Sequence, residues 1–385
     1  MRIIDLCLDE QVNALLLVGD LYDGDQTSMK TARFLAEQLS RLDQAGIRVF
    51  IIRGNHDALS RITKELTYPP SIKLFGGRAE TVIVERQAGA FAIAVHGLSF
   101  AQPHAPENLI SKFKSPVEGA VNIGMLHTSL AGAPGHDRYA PCSVADLQAA
   151  GFQYWALGHV HKRSVVEGAC AIVMPGMPQG RDINEAGVKS VSLVTIGDDR
   201  AIRIEERATA IAQFERLTVN AAGIEDWRQL VLAITRTLER ARAGCASQHL
   251  VARLHITGAT PLSWRIRSDL DLLRTEAEQQ ASVIGACWVE AMDADCHAPA
   301  QTRDATADPL AELGALIGDV VFQSEAYRAE AAEIAEELRG QLPQECRAAL
   351  GSDAASFAAA LAAIARDGAE DVLARLHGRS DSGRA

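Results

Sequence analysis

Six short apolar runs in the first half of the chain each end in a sharp polar cluster, and this repeated pattern most constrains the fold. Runs of four to six residues that are rich in β-branched and aromatic side chains are typical of buried strands. Between the first two runs, residues 28–47 have helical spacing that ends at Gly46. The pattern therefore predicts a β-α-β unit within an α/β domain. The six runs are Ala14–Val18, Val49–Ile52, Phe91–Val95, Val121–Leu126, Tyr154–Leu157 and Ala171–Met174.

The size and composition of the chain are ordinary for a globular protein. Its 385 residues are 48% hydrophobic and 23% charged, which suggests two or three domains. No apolar run approaches the roughly 18 residues that a membrane helix needs. The first ten residues carry acids where a secretory signal would be apolar, and the seven scattered cysteines include no C-x-x-C pair. These features predict a cytoplasmic protein with no membrane partner.

The net charge of −11 leaves a nucleic-acid partner open. Residues 1–207 hold 21 basic and 23 acidic side chains, whereas residues 208–385 hold 17 and 26, so most of the excess acid lies in the second half. A protein can also bind phosphate groups through bound metal cations instead of through a basic surface.

The apolar periodicity divides the chain into four parts. Residues 1–207 form the first block. A second block at 213–297 has the order β-α-β-α-β and predicts a small separate domain. After a linker rich in Pro, Thr and Asp, residues 304–378 are helical, and residues 379–385 are expected to be a disordered tail.

The polar clusters at the predicted strand ends contain one carboxylate, one amide and three imidazoles. This mixed set of oxygen and nitrogen donors suits manganese, iron or zinc better than calcium. Two such cations roughly 3.5–4 Å apart are the usual centre for phosphate-ester hydrolysis. In an extended segment residues i and i+2 point the same way, so both histidines of "GHVH" can address neighbouring metals. The five candidate ligands are Asp20, Asn55, His127, His159 and His161.

Four further residues near these clusters are candidates for supporting roles. His56 is placed to protonate a leaving oxygen, and Asp57 is available to orient it. Asp23 could orient a ligand or simply cap the next helix. Arg181, which follows a predicted strand, could contact a substrate phosphate or be an ordinary surface arginine.

The order of these motifs resembles the calcineurin-like metallophosphoesterase superfamily. Within it, the segments "GDLYDGD", "IIRGNHDA", "GMLHTS", "HDRYAPCS", "YWALGHVHKR" and "MPGMPQGR" are similar to the DNA repair exonucleases of the SbcD and YhaO type. The resemblance covers residues 1–207 closely. The block at 213–297 resembles the capping domain of that family, and the last eighty residues match only loosely.

The resemblance implies a fold, a chemistry and a set of partners. The fold would be an α/β metallophosphoesterase sandwich, with mixed β-sheets flanked by helices, a small cap domain and C-terminal helices. The activity would be that of a DNA exonuclease with two divalent metal ions, most often Mn²⁺, working with an SMC-like ATPase and possibly as a homodimer. In the matching positions Asp20 bridges the metals, Asn55, His127 and His159 complete the second site, His161 belongs to the first, and His56 is the catalytic acid.

The sequence departs from the family pattern at its beginning. That family starts with a strand ending in Asp-x-His, but no such motif precedes Asp20, and Arg2–Glu10 has the pattern of the helix that follows it. Site one then keeps only Asp20 and His161, so we expect one Mn²⁺ to bind tightly and a second to bind weakly or not at all. We favour a misassigned start codon, with the motif encoded in frame upstream, over a degenerate relative that has half a site.

Two other functions remain open from the sequence. The same centre could serve a phosphodiesterase or phosphatase of another substrate class, or the chain could be a catalytically impaired subunit that binds DNA or an ATPase. The acidic C-terminal helices favour docking of an ATPase over binding of DNA, because they repel phosphate. The alternative is that these helices pack on the cap of this same protein.

Overall fold

The computed structural model describes residues 2–22, 29–58, 68–85, 91–130, 139–299 and 309–382. The chain divides into two compact units. The first comprises Met1–Gln213 with Ala246–Gln248, and the second comprises Phe214–Cys245 with His249–Ala385.

The first unit contains all six strands that the apolar runs predict, together with the predicted helix. Its helices are α1 (Arg2–Asp9), α2 (Met29–Gln44) and α3 (Val144–Ala149), with short 3₁₀ turns at Ile110–Lys112 and Ile183–Glu185. Its strands are β1 (Ala14–Val18), β2 (Arg48–Ile52), β3 (Ile72–Leu74), β4 (Glu80–Val84), β5 (Ile93–Gly97), β6 (Val121–His127), β7 (Tyr154–Gly158), β8 (Ser164–Val166), β9 (Ala171–Met174), β10 (Ser190–Ile196) and β11 (Ile202–Ala208).

These strands form three sheets, of which the largest is mixed, as the resemblance implies. Strands β1, β2 and β3 make a parallel sheet in that order. A six-stranded sheet has the order β4-β5-β6-β7-β9-β8, in which the inner pairs are parallel and both edge pairs are antiparallel. Strands β10 and β11 form an antiparallel pair.

Alternation along β2 shows how the two larger sheets are layered. Val49 and Ile51 pack with the core under α1 and α2, which also contains the fully buried Leu39. Phe50 and Ile52 point to the other face and pack with strands β5, β6 and β7. Because successive side chains of a strand point to opposite faces, β2 separates a helical layer from the six-stranded sheet.

Alternation along β7 completes the sandwich. Tyr154 and Ala156 share the core between the two sheets. Trp155 and Leu157 point outward and pack with Leu147 of α3. The order of layers is therefore helix, sheet, sheet, helix, and the sheets are buried on both faces as their continuous apolar sequences require.

The second unit begins with a small sheet covered by helices. The predicted second helix of this block is divided in two at Asp269. The sheet has the order β12-β13-β14, with β13 and β14 parallel. Its elements are β12 (Ala212–Asn220), α4 (Trp227–Ala243), β13 (His249–Ala259), α5 (Ser263–Ser268), α6 (Leu270–Ile284) and β14 (Cys287–His297).

The C-terminal helices follow in the same unit, and the last of them packs on the small domain. Trp264 of α5 donates a hydrogen bond of 3.0 Å to Glu370, and Arg267 forms ion pairs with Asp367 and Asp371 at 2.6 and 2.8 Å. Leu373 is only 3% exposed. This is the arrangement that the sequence left as the alternative to docking of an ATPase. The helices are α7 (Pro309–Leu316), a π-helical turn (Ile317–Val321), α8 (Glu325–Gln341), a 3₁₀ segment (Gln344–Leu350) and α9 (Ala354–Ser382).

Helix α9 also differs from the sequence prediction at its end. It continues to Ser382, so residues 379–382 are helical where a disordered tail is predicted. Extending an existing helix adds one hydrogen bond for each residue that is fixed, so a long helix can carry a polar end. Among the described helices, none combines the length and the apolar character that crossing a membrane requires.

Candidate metal centre

Four of the five predicted ligands gather at one end of the sandwich. Asp20 follows β1, Asn55 follows β2, His127 is the last residue of β6 and His159 follows β7. Within each sheet the parallel strands end at the same edge, so Asp20 lies near Asn55 and His127 lies near His159, and the packing of the two sheets brings these pairs together. Ligand atoms of Asp20, His127 and His159 all lie within 4.8 Å of one another. Asn55 joins them, with its Oδ1 3.0 Å from Nε2 of His127.

The hydrogen bonds of His127 test whether this group fits a metal ion. The ring is fully buried, and its Nδ1 lies 2.8 Å from the carbonyl oxygen of Val18. Because a carbonyl oxygen can only accept, Nδ1 carries the proton, and Nε2 of the neutral imidazole is a lone pair. That lone pair faces Oδ2 of Asp20 at 3.1 Å and the Oδ1 of Asn55. Three electron-rich atoms that converge in this way repel one another unless a cation lies among them, so the residues fit a divalent metal.

Three glycines make room for the ring of His127. A β-carbon on Gly19 would lie 2.5 Å from Nδ1 of that ring, and one on Gly54 would lie 2.6 Å from its Cε1. A β-carbon on Gly158 would overlap the carbonyl oxygen of Val18, which accepts the hydrogen bond from the ring. The glycine in each of the motifs "GD", "GNHD" and "GHVH" is therefore required by packing around one imidazole.

The backbone at two ligands is held in an unfavourable conformation. Asp20 has φ +55° and His159 has φ +103°, in the region that residues with a side chain rarely adopt. Such residues cost on the order of 1–3 kcal/mol each and persist only where the surroundings fix them. Ring contacts help to fix His159, which packs edge-to-face on His127 at 5.3 Å and on Tyr139 at 5.2 Å.

Asp20 is held as a carboxylate. Burial alone would raise its pKa, but the backbone N–H of His56, which donates to Oδ1 at 3.1 Å, acts in the opposite direction, and the pKa is held below its usual value. An ionised carboxylate is the form that binds a cation. The side chain of His56 itself is exposed beside this loop, where a substrate can reach it.

Asp57 joins the loops that carry Asp20 and Asn55. Its carboxylate is 2% exposed and accepts hydrogen bonds from the backbone N–H groups of Leu21 and Tyr22, at 3.1 and 3.0 Å, and weakly from that of Gly54. Burial raises its pKa, and these bonds oppose that effect. These contacts connect the two loops that carry predicted ligands, and the orientation of His56 by Asp57 stays a prediction.

The fifth predicted ligand, His161, is paired with a residue that the sequence analysis did not single out. Its Nδ1 lies 3.1 Å from Oε1 of Glu185. Arg181 also binds Glu185, with Nη2 2.9 Å from the same oxygen. Burial would raise the pKa of Glu185, but the hydrogen bonds from Arg181 and His161 outweigh it and lower the pKa to about 2. The sequence feature that could have indicated Glu185 is its position four residues after Arg181, a spacing that allows an ion pair. Asp23 lies outside the described residues.

Comparison with known proteins identifies the family of this chain. The profile of the calcineurin-like phosphoesterases matches residues 1–163, and that of the middle domain of metallophosphoesterase YhaO matches residues 214–297. A Bacillus subtilis (strain 168) protein named uncharacterized metallophosphoesterase YhaO is 30% identical over 326 residues, which are 83% of this chain and 78% of that one. This chain belongs to the calcineurin-like metallophosphoesterase family. The predicted family and its α/β fold are confirmed.

Two further relatives match a shorter part of this metallophosphoesterase. The DNA double-strand break repair protein Mre11 of Sulfurisphaera tokodaii is 29% identical over 46% of this chain and 46% of its own length. A component of the nuclease SbcCD of Bacillus subtilis (strain 168) is 27% identical over 48% of this chain and 56% of its own. The chain thus spans about half the length of these two proteins.

Proposed function

We propose that this metallophosphoesterase is a phosphodiesterase that hydrolyses DNA with two divalent metal ions, most often Mn²⁺, as the exonuclease subunit of a DNA repair complex. The convergence of Asp20, Asn55 and His159 on the unprotonated Nε2 of His127 carries the metal-dependent part of this proposal. The names of the Mre11 and SbcCD relatives support DNA as the substrate.

Different residues of this chain would bind the metal ions and donate the proton. Asp20, Asn55, His127 and His159 would hold one cation, and Asp20 with His161 would contribute to a second. Bound divalent cations supply charge neutralisation to the phosphate and lower the pKa of water. His56, exposed beside Asp20, donates a proton to the departing oxygen.

A substrate panel tests this proposal. The full chain with Mn²⁺ should hydrolyse linear duplex DNA faster than bis-p-nitrophenyl phosphate and faster than cyclic nucleotides, because an extended substrate can use contacts beyond the scissile phosphate. Product release would be measured for each substrate at equal phosphodiester concentration, with Mn²⁺ binding measured on the same sample. Faster cleavage of cyclic nucleotides than of DNA would assign the enzyme to the other substrate class, and tight Mn²⁺ binding without any hydrolysis would support a non-catalytic subunit.

We further propose that an SMC-like ATPase docks on the C-terminal helices. One face of helix α9 packs on the small domain. On helix α8, by contrast, the apolar side chains of Ile334 and Leu338 are 54% and 55% exposed. Residues four apart lie on one face of a helix, so these two form an apolar patch. The surrounding acids disfavour DNA at this patch and leave a protein partner as the fitting occupant.

Charged substitutions in this patch should break the complex. The double variant Ile334→Asp, Leu338→Asp should fold normally, since both side chains are already exposed, and should lose co-purification with a co-expressed SMC-like ATPase. Val283→Asp is the matched control, because Val283 is 83% exposed on a different helix, α6. If the double variant co-purified as well as the control, the docking site would lie elsewhere.

A further inference from the structure

The carboxylate of Glu185 brings together two candidate functional residues. Its side chain is only 12% exposed, and each oxygen accepts from more than one donor. Oε1 lies 3.1 Å from Nδ1 of His161 and 2.9 Å from Nη2 of Arg181, while Oε2 accepts from the backbone N–H of Arg181 at 2.7 Å. A partly buried carboxylate in contact with both an imidazole and a guanidinium is stabilised by charge-assisted hydrogen bonds.

The loop that carries Glu185 packs against the loop that carries His161. Ile183 anchors the 3₁₀ turn with 3% exposure, and the Asp182 side chain caps it by accepting from the backbone N–H of Asn184 at 2.8 Å. At the other end of the loop, a β-carbon on Gly176 would lie 2.8 Å from the carbonyl oxygen of His161. The two loops therefore touch through backbone as well as through side chains, which fixes where the carboxylate meets the ring.

The contact decides which ring nitrogen of His161 is available. An ionised carboxylate can only accept, so Nδ1 of His161 carries the proton and Nε2 of the neutral ring is the lone pair. Metal-binding histidines are commonly held in this way, with the second nitrogen donating to a carboxylate that orients the ring and raises its basicity. The structure thus supplies an orienting partner for the ligand of site one.

We propose that Glu185 is a positioning residue that holds His161 with Nε2 ready for a metal ion and fixes Arg181 beside it for a substrate phosphate. The inference rests on the proposed function and deepens it. Because one carboxylate holds both groups, removing it should affect metal binding and phosphate recognition together. Glu185 acts through its two partners and takes no part in bond making or breaking.

The test compares Glu185→Ala and Glu185→Gln in the full chain. Long-range ¹⁵N spectra of the metal-free protein, assigned with His161→Gln, should show the Nδ1–H form of His161 in the wild type and a shift toward the Nε2–H form in Glu185→Ala. Glutamine keeps an acceptor oxygen, so Glu185→Gln should largely retain the wild-type form. Titration with Mn²⁺ should show the weaker site about 10- to 100-fold weaker still in Glu185→Ala, with the tight site unchanged.

The matched control is Glu37→Gln, which removes an exposed i,i+4 ion pair with Arg33 of the same spacing as that between Arg181 and Glu185. It should change neither the spectra nor the titration. An unchanged His161 tautomer in Glu185→Ala would overturn the inference even if the wild type binds metal and hydrolyses DNA. Conversely, a wild type that binds no Mn²⁺ would overturn the proposed function, while the tautomer measurement would still decide the role of Glu185.

Discussion

Replacing His159 by alanine should abolish tight binding of Mn²⁺ and all hydrolysis, whereas replacing His56 by alanine should remove hydrolysis and leave Mn²⁺ binding intact. His159 belongs to the group whose ligand atoms lie within 4.8 Å of one another, so its loss leaves an incomplete set of donors. The side chain of His56 is exposed beside that group, and loss of a general acid typically lowers the rate by about 10²- to 10⁴-fold. Calorimetric titration with Mn²⁺ and single-turnover hydrolysis would separate the two effects.

A third histidine provides the control for this pair. His255 lies on β13 of the second unit and pairs with Asp293, so His255→Ala should alter neither binding nor hydrolysis. Tight Mn²⁺ binding by His159→Ala would show that the metal uses other ligands. Wild-type turnover by His56→Ala would assign protonation of the leaving oxygen to another group.

Replacing Gly158 by alanine should disrupt the metal centre although no ligand is changed. The added methyl group would overlap the carbonyl oxygen of Val18, a backbone atom that cannot rotate away. The strand ends must then separate, which breaks the bond that orients His127. Overpacking of this kind typically costs about 1–3 kcal/mol in the free energy of unfolding and sometimes more. We expect a lower melting temperature in the absence of metal and at least a tenfold weaker affinity for Mn²⁺.

Gly168 offers the matched substitution. A β-carbon there would meet only the side-chain amide of Gln148 at 3.6 Å, an ordinary contact, so Gly168→Ala should leave both the melting temperature and Mn²⁺ binding close to wild type. If Gly158→Ala behaved like Gly168→Ala, the strand ends would have enough freedom to absorb a methyl group. The packing explanation for the glycines would then be wrong.

The strands and the residues that follow them at the candidate metal centre could be predicted because their signals are local. Each run such as Ala14–Val18 is apolar along its whole length, and the polar residue that follows it marks where the strand ends. Parallel strands then place Asp20 near Asn55 at the edge of one sheet and His127 near His159 at the edge of the other. The mixed set of donors gives the class of metal, since carboxylate, amide and imidazole together suit few ions.

The remaining features depend on contacts between distant segments. Nothing local to Asp57 shows that it accepts a hydrogen bond from the backbone N–H of Leu21, 36 residues earlier. The contact of Glu185 with His161 spans 24 residues and requires that two loops meet. Likewise, the sequence of the acidic face of α9 is the same whether that face contacts solvent, an ATPase or Arg267. Its contact with Arg267 joins residues 104 apart, since the partner on α9 is Asp371. Only the tertiary structure distinguishes these cases.

The metal centre also couples two layers of the first unit. Asp20 and Asn55 follow strands of the three-stranded sheet, whereas His127 and His159 come from the six-stranded sheet, and the bond between His127 and Val18 joins residues 109 apart in the chain. The donor set therefore exists only after the sheets have docked. By thermodynamic linkage, a cation that binds only the docked state stabilises it by RT ln(1 + [M]/Kd). A bound ion would therefore stabilise the packing of the two sheets against each other. The concentration of free metal in the cell would then affect the stability of the first unit as well as the rate of hydrolysis.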